Sequence, residues 1–316
     1  MVFPFVVGWL MTVPLNTMRI LNFGSLNIDH TYQVEHFVRP GETLSASAYE
    51  IHCGGKGLNQ SIALARSGAQ VWHAGAVGAG DGGLLLHALG EAGVNTDLIR
   101  QVPEQASGHA VIQVDAAGQN CILLYPGANG AMTRTHIDAA LAHFAPGDFL
   151  VLQNEVNEVG YMMRQAHRRG MRIVLNPSPM NDAIGELPLD MVDTFLLNEM
   201  EASDLCPGRP VGLSALRNRF PGARIVLTLG HRGALCWNGR QELRQCSYSV
   251  PVADTTGAGD TFTGFLIGSL AQGCGEEEAL RLASIAAALS VTRPGAGESI
   301  PHIDTVRASR LTPAVF

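Results

Sequence analysis

The stretch DTTGAGDTF, Asp254 to Phe262, followed by GFLIGSLAQG, decides how the rest of the chain is read. The second part has the small and apolar residues of a buried helix. In the first, Gly257 and Gly259 bracket Ala258, so the turn before that helix is nearly bare of side chains. A bare turn into a helix exposes backbone N–H groups, and the helix dipole adds partial positive charge there. That suits a phosphate or another developing anion. One ionisable group, Asp260, stands at the mouth. A carboxylate beside an anion site is unfavourable unless it has a task, such as taking a proton from a nucleophile. Asp254, Thr255 and Thr256 add oxygen ligands just upstream. A glycine turn capping an ordinary helix is the plain alternative; the DTT before GAGD and the TF after it argue against it.

Working outward, the region from about residue 135 alternates strand and helix. FLVLQ, RIVLNP, TFLLN and RIVLTLG are near-continuous apolar strands, and EVGYMMRQAHRRG and LSALRNRF have helical spacing. Such strands imply a parallel sheet covered on both faces. Nearer the start, RILNFGSLNIDH reads as a first strand and turn, and HTYQVEHF and TLSASAYEIH as β-like runs about an RPGE turn. GGKGLNQSIALARSGA then opens a helix. DLIRQV, HAVIQVD and NCILLYPG read as an antiparallel patch. GEEEALRLASIAAALSVTRPG is read as the last helix, with Pro294 as its stop. The expected fold is α/β: a central, mostly parallel sheet flanked by helices, with a small β appendage from about 29–53 and 97–125. Residues 1–17, apolar and uncharged, read as an extension outside the domain of 18–316. A cleaved signal or an interfacial anchor fits them less well.

Bulk properties narrow the function. With 316 residues and 46% hydrophobic content, the chain can bury one large core. A net charge of -7 without a basic stretch argues against nucleic acid. Six scattered cysteines without a CxxC pair, and scattered histidines, argue against a zinc site or disulfide framework and fit a cytoplasmic protein. Of the 21 basic residues only Lys56, in GGKG, is lysine. A compact ammonium is not equivalent to a guanidinium fork in a tight site. GGKG is not a phosphate-binding Walker loop, because glycine follows the lysine. Gly78, Gly80 and Gly83 spell GxGxxG between a strand and a helix, as a nicotinamide dinucleotide site would. Other glycine turns compete for that role, and a simple strand-to-helix turn is favoured.

Polar residues recur at strand ends, where parallel sheets bind ligands: Asn27, Asp29, Glu155, Asn176, Asn198, Thr228 and Gly230. Asn27, Asp29, Lys56, Asn59 and Glu155 together would make a pocket rich in donors and acceptors, suited to a small polyhydroxy substrate, with Asp260 at its inner end.

These motifs resemble the ribokinase-like (PfkB) family of carbohydrate kinases. GGKGLNQSIALARSGA is similar to its first signature and DTTGAGDTFTGFL to its second, and NID, LQNE, NEMEA, TLGHRGA and VTRPGAGES match in order and spacing. The likeness runs from Met18 to about Pro301 and, within the family, is strongest to the ribokinases. It implies that Asn27, Asp29, Gly55, Lys56, Asn59 and Glu155 hold sugar hydroxyls and that Asp260 is the general base. The amides of Gly257, Ala258 and Gly259 would form the anion hole. Asn198, Thr228, Gly230, Gly233 and Gly259 would contact ATP or its Mg²⁺, with Ser284 near the adenine. Asp254, Thr256, Ser290, Arg293, Gly295 and Ser299 would bind an activating K⁺, mainly through carbonyls. The β appendage would be a lid over the sugar and the contact of a homodimer. The implied reaction moves the γ-phosphoryl group of ATP to a primary hydroxyl of a pentose, ribose above all. Another sugar or a nucleoside, and a non-catalytic sugar sensor on the same scaffold, are the alternatives. His109 and Tyr125 depart from the apolar residues usual in the lid and bear on which sugar is taken.

Overall fold

The computed structural model describes residues 17–208 and 212–314. The extension expected over 1–17 lies, but for Thr17, outside the described residues. The strands are β1 (Ile20–Phe23), β2 (Asn27–Gln33), β3 (Ala48–Gly54), β4 (Val71–Gly78), β5 (Asn95–Val102), β6 (Gly108–Val114), β7 (Asn120–Tyr125), β8 (Phe149–Leu152), β9 (Arg172–Leu175), β10 (Thr194–Asn198), β11 (Arg224–Thr228), β12 (Ala234–Trp237) and β13 (Glu242–Gln245). The helices are α1 (Lys56–Arg66), α2 (Gly83–Glu91), α3 (Arg134–Leu141), α4 (Val159–Arg168), α5 (Glu199–Leu205), α6 (Leu213–Arg219), α7 (Ala258–Ala271), α8 (Glu276–Ser290) and α9 (Ile303–Ala308).

The large sheet has nine strands in the order β13-β12-β11-β10-β9-β8-β1-β4-β5. Its strands from β11 to β5 pair in parallel, and β12 and β13 extend it antiparallel. Successive residues point to opposite faces, so each central strand feeds two cores. Ile20, Phe149, Val151, Val174, Leu196 and Val226 pack with α1, α2, α7 and α8. Leu21, Leu150, Ile173, Phe195 and Ile225 pack with α3, α4, α5 and α6. Runs such as FLVL and RIVL are apolar at nearly every position because both of their faces are buried, as expected.

The small sheet, β3-β2-β6-β7, corrects three expectations. DLIRQV is not part of it; it lies in β5, at the edge of the large sheet beside β4. The helix α2 between the two strands supplies the crossover that parallel pairing needs. The small sheet is mixed rather than antiparallel, since β2 pairs β6 in parallel. Asn27 and Asp29 lie within β2, not in a turn after β1, because only three residues separate the two strands. A fourth correction is at the end of the chain, where α9 follows α8, the helix read as last.

The GxGxxG segment is a strand-to-helix turn. Asp81 fills it, accepting bonds from the N–H (3.0 Å) and hydroxyl (2.6 Å) of Ser107. A Cβ on Gly78 would come within 2.4 Å of the Gln105 carbonyl. A carboxylate where a pyrophosphate would sit is unfavourable for a dinucleotide. All six cysteines are free, and among the described residues no helix is long and apolar enough to cross a membrane.

Candidate active site

The site begins at the N-terminus of α7. Gly257 takes a left-handed φ of 74° there, and no side chain caps the helix. The first N–H groups of a helix have no intrahelical acceptor. Gly257 and Gly259 line a cleft of about 160 Å³ together with Lys56, Asn198, Thr228 and Asp260. Ala258 is not among the lining residues, and its N–H bonds the Thr255 carbonyl at 3.3 Å. The open turn therefore presents two of its three expected positions to the cleft.

Asp260, in the first turn of α7, is 8% exposed. Gln60 Nε2 donates to its Oδ1 at 2.9 Å and Asn59 Nδ2 to its Oδ2 at 3.3 Å. Burial pushes its carboxyl above the usual carboxylate range and Glu155 adds to the rise, whereas the Lys56 ammonium and the two amide bonds oppose it. A buried carboxylate beside a helix N-terminus and an ammonium can accept a proton while its neighbours stabilise an anion.

The second corner is the N-terminus of α1. Gly55, at φ 93°, precedes the helix and brings it against the β1–β2 connection. Glu155, just after β8, accepts the N–H of Lys56 at 3.0 Å and the hydroxyl of Ser25. Asp29 on β2 lies so close to Gly54 that a Cβ there would meet its Oδ2 at 2.0 Å. Its carboxyl is pushed up to about 6, first by burial and then by the charge of Glu155, with His52 pulling it back. Asn27 is buried and accepts a bond from Asn129 Nδ2 at 2.7 Å. The residues expected to hold sugar hydroxyls thus converge between α1, β2 and Asp260.

The third corner lies at the ends of β10 and β11. Asn198 and Glu201 form a reciprocal capping box on α5, with both bonds at 2.9 Å. A second cleft, of about 420 Å³, continues past Asn198 and Thr228 to Gly230 and Arg232. Gly233 and Ser284 line neither cleft. Gly233 is a turn glycine whose Cβ would meet the Gln245 carbonyl at 2.1 Å, and Ser284 is buried on α8.

Asp254 ties two loops together. Its Oδ1 accepts the N–H (2.9 Å) and hydroxyl (2.7 Å) of Thr256, and its Oδ2 the N–H of Gly295 (3.0 Å). Burial works against its charge, but these bonds outweigh it and hold the carboxyl below its usual value. The Ser290 and Ser299 hydroxyls donate to the carbonyls of Ala287 and Ala296 at 2.9 Å, leaving backbone carbonyls as the oxygens these positions offer. Arg293 is exposed beside them. Carbonyls with one carboxylate are the hard donor set a group IA or IIA cation requires.

His109 and Tyr125 do not point toward the sugar corner. The register puts His109 level with Ile28 and Tyr125 level with His109, on the face opposite Asn27 and Asp29. There His109 packs on Tyr125 and His30, at 5.0 and 6.0 Å between ring centroids. Three residues at the site carried no role in the sequence reading: Gln60, Asn176 and Glu201. Asn176 stood out only as a strand-end amide. Glu201 was legible as the fourth position of an N-x-x-E capping box. No local pattern marks Gln60.

Residues 18–303 match the pfkB family of carbohydrate kinases. The chain is 34% identical over 294 residues to a ribokinase from Haemophilus influenzae, covering 90% of this chain and 95% of that one. It is 33% identical over 302 residues to a deoxyribokinase from Salmonella typhi, covering 91% and 97%. Among solved structures it is similar to an Arabidopsis thaliana ribokinase complexed with ribose and ATP, with a TM-score of 0.83 and 29% identity, covering 92% of this chain and 98% of that one. The chain belongs to the pfkB family of carbohydrate kinases and is a phosphotransferase acting on a sugar hydroxyl.

Proposed function

We propose that the enzyme transfers the γ-phosphoryl group of ATP to the primary hydroxyl of ribose, giving ribose 5-phosphate. The observation that carries this reading is the buried Asp260, held by Asn59 and Gln60 at an uncapped helix N-terminus beside Lys56. Asn27, Asp29, Gly55, Lys56, Asn59 and Glu155 bind the sugar hydroxyls. Asp260 removes the proton of the attacking hydroxyl, and the amides at Gly257 and Gly259, with Ala258 shaping the turn, stabilise the charge that develops on the phosphoryl oxygens. ATP lies along the two clefts past Asn198, Thr228 and Gly230; Gly233 and Ser284, which line neither cleft, are left without a contact to it.

Glu201, which lines the cleft beside Asn198 and Thr228, is the carboxylate that would face Mg²⁺ carried on ATP, which would supply charge neutralisation at the phosphates. Asp254, Thr256, Ser290 and Ser299, with the carbonyls of Arg293 and Gly295, would hold K⁺, which would supply a fixed positive charge near the α7 turn. The small sheet closes over the sugar and excludes water. Its strand β7, exposed along its whole length, packs against a second copy in a homodimer, and the enzyme works in the cytoplasm.

The test is ADP release with MgATP and K⁺ across ribose, 2-deoxyribose, ketoses and nucleosides. Ribose is expected to give the highest kcat/KM. A clear preference for 2-deoxyribose or a nucleoside would overturn the substrate, and tight sugar binding without turnover would favour a sensor.

A further inference from the structure

Asp260 sits at one end of a buried chain of hydrogen bonds that runs through the α1 side of the large sheet. Gln60 Nε2, which donates to Asp260 Oδ1, also donates to Asn176 Oδ1 at 3.1 Å. Gln60 Oε1 accepts from Gln153 Nε2 at 2.7 Å, and the same nitrogen donates to Asn22 Oδ1 at 3.0 Å. Asn22 Nδ2 donates to the Gly57 carbonyl and to Ser61 Oγ, both at 2.8 Å. Ser61 Oγ is 2.7 Å from His73 Nδ1, and His73 Nε2 is 3.2 Å from the Gly24 carbonyl. Asn22, Gln60, Ser61, His73 and Gln153 are each fully buried.

The two ends fix the direction of every bond. The Gly24 and Gly57 carbonyls can only accept, so His73 donates through Nε2 and Asn22 presents its NH₂. Ser61 then gives its proton to His73 Nδ1. Asn22 is left with its oxygen toward Gln153, and Gln153 with its NH₂ toward Gln60. Gln60 must therefore turn its own NH₂ to Asp260. A flipped Gln60 would set a carbonyl against the carboxylate and lose the bond from Gln153.

We infer that Gln60 is a positioning residue for Asp260, oriented by the Gln153–Asn22–Ser61–His73 chain, which aims the carboxylate and keeps it ionised. The inference rests on Asp260 being the base. Gln60 occupies Oδ1, so Oδ2, held only by the longer bond from Asn59, is the oxygen free to take a proton. Burial drives Asp260 toward the neutral form, and the charges acting on it are Lys56, which opposes this, and Glu155, which adds to it. His73, at the far end, is held neutral, its ring pushed down to about 4 by burial against the opposing bond to Gly24. The chain thus carries no net charge of its own. It adds a fixed donor, which a buried base needs to be ionised near neutral pH.

The test is kcat and sugar KM from about pH 5.5 to about 9.5 for wild type, Gln60→Glu, Gln60→Met, Gln153→Met and Asp260→Asn. Gln60→Glu keeps the shape but sets a second carboxylate against Asp260, so Gln153→Met, which leaves Gln60 in place, reports where Gln60→Met fails to fold. The acid limb of the kcat profile is expected to move up by about one pH unit or more in both Gln60 variants, giving about a tenfold loss at low pH that recovers as pH rises. The shift should be smaller in Gln153→Met, with sugar KM within about threefold of wild type throughout. Limbs that superimpose on wild type in Gln60→Met and Gln153→Met, or a loss of equal size at every pH, would overturn the inference. Near-normal turnover by Asp260→Asn would instead overturn Asp260 as base.

Discussion

At the residue scale the sugar corner sets function against stability. Asp29 ionises near 6 instead of 3.8. Between those values the folded protein keeps a proton that the unfolded chain has released. The contribution is therefore present in acid, and stability falls as pH rises through about 4 to 6, by about 3 kcal/mol at most. Asp29→Asn should remove that loss. Calorimetry should find the variant melting with wild type near pH 4 and above it near pH 8. An ionised carboxylate is the stronger acceptor for hydroxyls, so the wild-type sugar KM should fall as pH rises through about 6, while that of the variant is higher and flat. A variant that melts lower than wild type near pH 8 contradicts this account. Asp260 was legible from sequence because a carboxylate after a bare glycine turn has no ordinary reason to be there. Gln60 was not, because its partners Gln153, Asn176 and Asp260 lie far along the chain, and an amide on a helix looks the same buried or exposed.

At the scale of elements, the site depends on how closely α1 and α7 approach. A Cβ on Gly264 would come 2.3 Å from Ala63 Cβ and 2.7 Å from Leu64 N, and one on Gly268 would come 2.0 Å from Ser67 Oγ. These glycines let α7 lie against α1, and Asn59 and Gln60 reach Asp260 across that contact. Gly264→Ala should destabilise the protein by about 1–3 kcal/mol through overpacking. It should also lower kcat more than it raises sugar KM, as thermal melts and steady-state kinetics would record. Unchanged melting with full activity would contradict this. The apolar runs of the parallel sheet were readable because strands buried on both faces leave little room for polar residues. The sheet to which DLIRQV belongs was not, since alternation over a few residues says that a strand forms but not what it pairs with. Nor did β12 and β13 stand out, because they are short and partly exposed.

For the whole molecule, the large sheet sets the ends of β10 and β11 and the α7 turn on one side of the cleft, and the small sheet brings Asn27 and Asp29 to the other. That sheet leaves apolar surface uncovered: Ile122 and Leu124 are 56% and 47% exposed. Both lie on the same face as Asp29, through the pairing of Ala110 with Leu124 and of Ile112 with Ile122. A second copy covering this face would exclude water from two sugar sites at once. Light scattering should find a dimer at micromolar concentration, and Ile122→Asp with Leu124→Asp should give a monomer with raised sugar KM. A monomeric wild type with full sugar affinity contradicts the proposed assembly. ADP formation from MgATP and ribose, with wild type beside Asp260→Asn, tests whether a buried aspartate at an uncapped helix N-terminus activates a sugar hydroxyl toward ATP. Wild type is expected to show ribose-dependent turnover and the variant a loss of about 10²-fold to 10⁴-fold, with ribose affinity kept. Comparable turnover by the two proteins would contradict that activation.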